Sequence, residues 1–106
     1  MPPALLSATA RQDLLAAMRW ISKDSRSAAA SLRARVGALL VELGRYPERG
    51  AVRPELAHDG YRFATLRGFP HLIVDNARRR PPVVMRILHG AQNLAEILIA
   101  PPPVRE

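Results

Sequence analysis

The sequence has no cysteine, a single lysine (Lys23) and few aromatic residues, which make up 5% of its 106 residues. Without cysteine the chain has no disulfide, no thiolate ligand for a metal and no cysteine nucleophile. Its apolar runs are far shorter than the roughly 18 residues that a membrane-spanning helix needs. The N-terminus lacks a basic region and has too short an apolar core for a signal peptide. We therefore expect a cytoplasmic protein that makes no membrane contact.

Arginine is the residue that the sequence has in excess. All but one of its 16 basic residues are arginine, and they outnumber 9 acidic residues to give a net charge of +7. The excess is shared between residues 1–60 and 61–106, so it is not a basic tail. A positive field of this kind favours acidic partners, either nucleic acid or an acidic protein. The length and the 48% hydrophobic content predict one globular domain over 1–106, with Pro101 to Glu106 as a flexible tail.

Helical periodicity dominates the first half of the chain. Thr9 and Gln12 form a capping-box pattern, and the apolar spacing that follows predicts a first helix from about Thr9 to Asp24. A break at residues 25–27 leads into a second helix, for which Gly44 is a typical C-terminal cap. Because the break is so short, the two helices are predicted to form an antiparallel hairpin.

The second half changes to strand patterns. Residues 61–66, 71–74 and 83–88 predict three antiparallel strands, and residues 4–7 predict a short first strand. Residues 91–98 predict a short closing helix. Helices that precede strands in this way indicate an α+β fold. We expect a short N-terminal strand, an antiparallel helical hairpin packed on a three- to four-stranded antiparallel sheet, and a short C-terminal helix.

Arg86 is the one charged residue on the last predicted strand, which is otherwise apolar on both faces and therefore predicted to be central. An arginine there needs a partner or an open surface. It either floors a cationic groove or pairs with a carboxylate such as Asp75. At the end of this strand, His89 has the unperturbed pKa that suits acid–base chemistry. With Arg86, Arg62 and Arg67 it would serve phosphoryl transfer in an RNA-cleaving site; alternatively, it is a strand-end histidine bonded to backbone.

Two further features are candidates for partner binding. Arg78, Arg79 and Arg80 lie at a predicted exposed hairpin tip, either as a solvated turn or as a contact to phosphate or an acidic protein. No aromatic residue interleaves with them in the sequence, which disfavours base stacking there. Trp20 lies at the edge of the apolar stripe of the first helix, where it is either half-buried core or an anchor for a partner.

The sequence carries none of the common signatures of cofactor or metal chemistry. It has neither a P-loop nor a GxGxxG motif, and no serine lies in a GxSxG elbow. Its three histidines do not have metal-motif spacing, and no carboxylate pair suggests general acid–base catalysis. We therefore expect no cofactor and no metal.

Four segments occur in an order and spacing that are specific only when taken together. They are the strand-to-helix opening at residues 7–14, the second helix with its Pro-x-x-Gly turn at 28–50, residues 52–62 entering the sheet, and the run Arg86-Ile87-Leu88-His89-Gly90 before the last helix. In these segments the sequence resembles the RelE/ParE superfamily of toxins from bacterial type II toxin–antitoxin systems, and its ParE branch in particular. The resemblance extends from about Leu6 to Leu98.

The resemblance implies a small toxin that a cognate ParD-like antitoxin neutralises. ParE toxins poison DNA gyrase by protein contact, whereas RelE relatives cut mRNA on the ribosome with basic residues and a Tyr or His. The absence of any tyrosine after Tyr61 and the single lysine, Lys23, disfavour the ribonuclease. Two positions depart from the ParE pattern, since Asp75 replaces the usual tyrosine and Asn93 the usual aspartate. A non-toxic relative that still binds antitoxin is a third possibility.

Each hypothesis assigns its own site residues. Under the ParE interpretation no residue is catalytic. The residues expected to bind partners are Trp20, Arg78, Arg79, Arg80 and Arg86. Only the ribonuclease alternative uses His89, Arg86, Arg62 and Arg67, with the ribosome or mRNA as partner. The antitoxin is expected to be an acidic segment that folds on binding and covers apolar surface around the helical hairpin and the sheet edge.

Overall fold

The computed structural model describes residues 2–57 and 60–99. The predicted tail over residues 101–106 lies outside this part of the chain. Seven elements follow one another: β1 (Leu5–Leu6), α1 (Ala8–Ser22), α2 (Arg26–Arg45), β2 (Tyr61–Thr65), β3 (His71–Asn76), β4 (Val83–His89) and α3 (Leu94–Ile99). The predicted α+β architecture is thereby confirmed. Within the described ranges, no helix is both long and apolar enough to cross a membrane.

The start of α1 is set by a serine that is also tied to the sheet. The hydroxyl of Ser7 accepts a hydrogen bond from the N–H of Ala10 at 3.0 Å and donates to the carbonyl of Met85 at 3.0 Å. Its own N–H donates to Val84 at 2.9 Å. The predicted cap at Thr9 is therefore wrong by two residues, because pairing of the preceding segment with β4 holds Ser7 in the extended conformation that a cap requires.

The four strands form one sheet in the order β1-β4-β3-β2. β2, β3 and β4 are antiparallel, as predicted, with Ile73 opposite Ile87. β1 differs, since it pairs with β4 in parallel through Leu5 opposite Val83, so the complete sheet is mixed. The central position predicted for the strand that carries Arg86 is confirmed.

Apolar residues cover both faces of the sheet. The helical hairpin packs on one face, and its larger core contains Leu32, Val36, Leu39, Leu43, Ile73, Val84 and Ile87. A second core lies on the other face, where α3 packs against Leu56, Phe63, Leu72, Val74 and Leu88. The unbroken apolar run of residues 72–74 in β3 agrees with this double burial.

Gly44 is a packing glycine and not the predicted helix cap. α2 continues through Arg45, and the N–H of Tyr46 donates to the carbonyl of Glu42 as the helix ends. Gly44 is buried inside the last turn, where an added Cβ would lie 2.1 Å from the backbone oxygen of Pro2. The N-terminal segment crosses α2 at this point, so glycine is needed for close backbone approach.

Candidate functional site

Arg86 is bound by a carboxylate from α1. Its Nε and Nη2 donate to the two oxygens of Asp13 at 2.8 and 3.1 Å. The N–H of Ile87 also donates to this carboxylate, at 2.9 Å. Of the two interpretations of Arg86, pairing with a carboxylate is correct, but the predicted partner Asp75 is wrong. Asp13 approaches β4 beyond the point where the short β1 ends, so it reaches both a strand N–H and the guanidinium.

Asp75 lies buried on β3 with no solvent exposure. Neither of its carboxylate oxygens has a hydrogen-bond partner among the described residues. Burial raises the pKa of Asp75 to about 6, although the charge of Arg62 opposes this shift. Arg62 is the cross-strand neighbour of Asp75 in β2, yet its guanidinium donates to the carbonyls of Glu48 and Gly50 at 3.2 and 2.8 Å. Its role is thus to hold the loop that follows α2.

His89 lies opposite His71 at the end of the sheet. The two rings meet edge to face, with their centroids 5.3 Å apart. His89 accepts a hydrogen bond from the N–H of Ala91 through Nδ1, and its own N–H donates to the side chain of Gln92. The interpretation of His89 as a strand-end histidine bonded to backbone agrees with these contacts. The pairing of His89 with His71 could not be predicted from the strand patterns, because it depends on the register between β3 and β4.

Burial lowers the pKa of His71, and the charge of nearby His89 lowers it further. His71 is buried, and its Nδ1 has no partner among the described residues. The surroundings of His71 therefore favour the neutral imidazole over the charged one, beside the exposed His89 ring. Across residues 2–57 and 60–99, no group of three or more His, Cys, Asp or Glu side chains is placed to hold a metal ion.

Three of the four residues of the predicted ribonuclease site bind partners in different parts of the fold. Arg86 is engaged by α1, Arg62 by the loop after α2, and His89 by the turn that precedes α3. Arg67 is exposed and lines a shallow concavity of about 300 Å³ together with Arg35 and other residues of α2. The contacts of Arg62, Arg86 and His89 are thus distributed over separate segments of the chain.

Trp20 is 71% exposed, so the interpretation of this residue as half-buried core is wrong. The Nζ of Lys23 lies 4.7 Å from the centre of its ring. Leu15, on the same helix, is 48% exposed. An apolar groove of about 530 Å³ runs between α1 and α2, and its lining residues are Leu6, Arg11, Leu14, Leu15, Met18, Arg33, Val36, Gly37 and Leu40. We call this the hairpin groove.

The arginine-rich turn between β3 and β4 is exposed at Arg78, Arg79 and Arg80, as predicted. Arg80 also lines a concavity of about 400 Å³ with the residues that follow α2, among them Tyr46. Tyr46 is 63% exposed. No aromatic residue interleaves with these arginines in the sequence, but the fold brings Tyr46 to the same concavity as Arg80 from a segment more than 30 residues earlier.

Fold and contacts together describe a small helix-hairpin-on-sheet protein with a basic surface and an apolar groove between its first two helices. A family model described as the ParE toxin of type II toxin–antitoxin system, parDE, matches residues 4–94. The chain therefore belongs to the ParE toxin family of type II toxin–antitoxin systems, as the resemblance had indicated. No curated protein matches the chain.

A solved structure supports the same fold. It is described as the chromosomal ParDE toxin–antitoxin system from P. aeruginosa, and one of its chains superimposes with a TM-score of 0.67. The match is 20% identical in sequence and covers 84% of this chain and 96% of that one. At this identity the likeness concerns the fold, which agrees with the α+β architecture predicted from the sequence.

Proposed function

We propose that the chain inhibits DNA gyrase by protein contact and is neutralised by a ParD-like antitoxin in the cytoplasm. The observation that carries the proposal is the ParE family match over residues 4–94. The contacts within the chain add to it. A ribonuclease would direct Arg86 at phosphate, but here its guanidinium donates two hydrogen bonds to Asp13 inside the fold. Action by protein contact is consistent with a site in which Arg62, Arg86 and His89 already have partners inside the fold.

Arginines on the surface remain available for the target. Arg79 and Arg80 project from the turn between β3 and β4, and such charges speed the encounter with an acidic protein surface. Arg86 is not proposed to touch a partner. Drawing its guanidinium away from Asp13 would leave a partly buried carboxylate without its charge partner. Trp20 is still proposed to touch a partner, because its ring is exposed and tryptophan is among the residues most enriched in binding hot spots.

The antitoxin is proposed to occupy the hairpin groove. Its lining is mainly aliphatic, with Arg11 and Arg33 among the lining residues. An acidic amphipathic helix matches this pattern, since it would bury its apolar face between α1 and α2 and place carboxylates near the two arginines. Gly37 lies in the groove, and a Cβ at this position would meet no atom within 4 Å, so the groove is open there.

Induced expression without antitoxin tests the gyrase proposal. We expect thymidine incorporation to fall before methionine incorporation in pulse-labelled bacteria, together with DNA-damage signalling. A supercoiling assay with purified gyrase and relaxed plasmid then tests direct inhibition. If methionine incorporation falls first, the chain is a ribosome-dependent endoribonuclease. If neither falls, it is a non-toxic relative that retains only antitoxin binding.

A histidine substitution separates the enzyme from the binding protein. We expect His89→Ala to leave toxicity largely intact, because His89 is bonded to the turn before α3 and is given no chemical role. Loss of toxicity with an unchanged melting temperature would support the ribonuclease. His71→Phe serves as the control, since it perturbs the same end of the sheet and leaves His89 in place.

Two substitutions of one glycine test the antitoxin site. Gly37→Trp fills the open part of the hairpin groove, so growth should no longer be rescued by the candidate antitoxin encoded beside the toxin gene. Gly37→Ala adds one methyl group at the same position and should be rescued like the unchanged chain. Equal rescue of both variants would place the antitoxin elsewhere. Toxicity of each variant without antitoxin shows that it folds.

A further inference from the structure

The loop after α2 and the turn between β3 and β4 meet to form a basic concavity of about 400 Å³. Its lining residues are Arg45, Tyr46, Pro47, Glu48, Arg49 and Arg80. We call this surface the Arg–Tyr concavity. It is separate from the hairpin groove and shares none of its lining residues. No role in the proposed function has used Arg45, Tyr46 or Arg49.

The cations of this surface are unequal. Arg49 is paired with Glu42, with 2.7 Å between Nε and the nearer carboxylate oxygen, so its charge is largely offset. Arg45 and Arg80 are exposed, and Glu48 is the acidic member among the lining residues. Exposed Arg79 adds positive charge beside Arg80. The concavity therefore presents arginine forks to solvent, which suit the geometry of phosphate oxygens.

Arg80 is held in place by the turn on which it lies. Its Nη1 donates to the carbonyl of Ala77 and, at 2.9 Å, to the carbonyl of Arg79. These bonds use one nitrogen of the guanidinium and fix its orientation. Binding a ligand therefore costs less side-chain entropy at Arg80 than at an unrestrained arginine. The rest of the fork remains a donor for a ligand.

Tyr46 supplies an aromatic ring next to these cations. It is 63% exposed although it directly follows α2, where its N–H donates to the carbonyl of Glu42 at 2.8 Å. That bond fixes the backbone and leaves the ring in solvent. An exposed ring beside arginines is the combination with which proteins bind single strands, since the ring stacks on a base while the arginines bind the backbone.

We propose that the Arg–Tyr concavity binds single-stranded nucleic acid, with a base on Tyr46 and phosphates at Arg45 and Arg80. An acidic protein would meet the same arginines, and competition by polyglutamate distinguishes it from a single strand. A duplex would offer its phosphates but keeps its bases stacked inside. The site shares Arg80 with the surface proposed to meet gyrase, and it shares no lining residue with the hairpin groove. Its test does not depend on gyrase inhibition, because binding is measured on the chain alone.

Fluorescence anisotropy of the full chain, made by cell-free synthesis, with a labelled 12-nucleotide thymidine strand tests the site. Tyr46→Ala should weaken binding at least about fivefold, whereas Tyr46→Phe should stay within about twofold because it keeps the stacking ring. Arg45→Gln should reduce the slope of log K against log salt by about 0.7, which corresponds to one phosphate contact. A uridine strand of equal length shows whether RNA is also bound.

Arg26→Gln is the matched control, since Arg26 is an exposed arginine at the opposite end of α2. It should leave the salt slope unchanged. The proposal is overturned if Arg26→Gln weakens binding as much as Arg45→Gln does, since net charge alone would then explain it. It is also overturned if Tyr46→Ala binds normally, or if a 12-base-pair duplex or polyglutamate competes as well as the single strand. Melting temperatures confirm that each variant is folded.

Discussion

The guanidinium of Arg86 and the carboxylate of Asp13 join β4 to α1 through two hydrogen bonds of 2.8 and 3.1 Å. The residues lie 73 positions apart in the sequence. Their side chains are 31% and 17% exposed, so the pair is partly shielded from water. The contact makes Arg86, the most conspicuous cation of the sheet, a structural residue and fixes the first helix against the central strand.

Removal of either partner should therefore lower stability, and by unequal amounts. Asp13→Ala deprives both Arg86 and the N–H of Ile87 of their acceptor, at a cost of about 2–3 kcal/mol. Arg86→Ala leaves Asp13 bonded to Ile87 and should cost about 1–2 kcal/mol. Urea denaturation of both variants and of the double variant measures the two costs and their coupling. A zero coupling energy would contradict a direct interaction.

Two glycines of α2 should respond in opposite directions to alanine. Gly44→Ala places a methyl group 2.1 Å from the backbone oxygen of Pro2, so the N-terminal segment must move and the melting temperature should fall. Gly37→Ala meets no atom within 4 Å and should stabilise the helix by up to about 1 kcal/mol. Thermal unfolding compares them directly. A stabilised Gly44→Ala would mean that Pro2 does not pack on α2.

Asp75 should make the protein less stable as the pH rises from about 4 to 6. Its pKa is about 6 in the fold against an ordinary 3.8, so in this window the folded chain holds a proton that the unfolded chain has lost. Asp75→Asn removes the buried charge. At pH 7.5 it should be more stable than the unchanged chain by up to about 3 kcal/mol, with little difference at pH 4. Urea unfolding at the two pH values checks this, and a pH-independent difference would count against it.

His71 should act in the opposite sense. Burial and the charge of His89 lower the pKa of His71 below the ordinary 6.5, so on acidification the unfolded chain takes up a proton first. The stability contributed by the neutral imidazole is complete above pH 6.5 and falls as the pH drops below it. NMR titration of the ring protons gives the pKa directly, and a value at or above 6.5 would refute the assignment. Urea unfolding of Asp75→Asn as a function of pH removes the contribution of Asp75, so the pH dependence attributed to His71 can be followed without it.

Local patterns in the sequence predicted the elements because helices and strands here follow simple apolar periods. The strand around Ile87 reads as buried on both faces, and it is central. The predictions that were wrong concern long-range contacts in which two chemically similar groups could serve equally well. Ser7 and Thr9 are both able to cap a helix, and pairing with β4 selects Ser7. Arg86 had Asp75 nearby in the sheet, but a helix placed by the whole fold brought Asp13 to it.

The solvent exposure of individual side chains also could not be predicted from local sequence patterns. Trp20 lies at the edge of the apolar stripe of α1, where the sequence allows either burial or exposure, and the fold leaves its ring in solvent. Tyr46 and Arg80 are separated by more than 30 residues, so their shared concavity depends on how the turn after β3 folds back toward the end of α2. Gly44 lies where a C-terminal helix cap is expected from the sequence. In the fold it is instead the point at which the N-terminal segment packs against α2.

Beyond the two residues of β1, side chains rather than a strand complete the outer edge of β4. The hydroxyl of Ser7 bonds the carbonyl of Met85, Asp13 takes the N–H of Ile87, and Gln92 takes the N–H of His89. A second copy of the chain that approached this edge would find these donors and this acceptor occupied. This edge of the sheet is thereby guarded against pairing with another strand, the hazard of an open sheet edge.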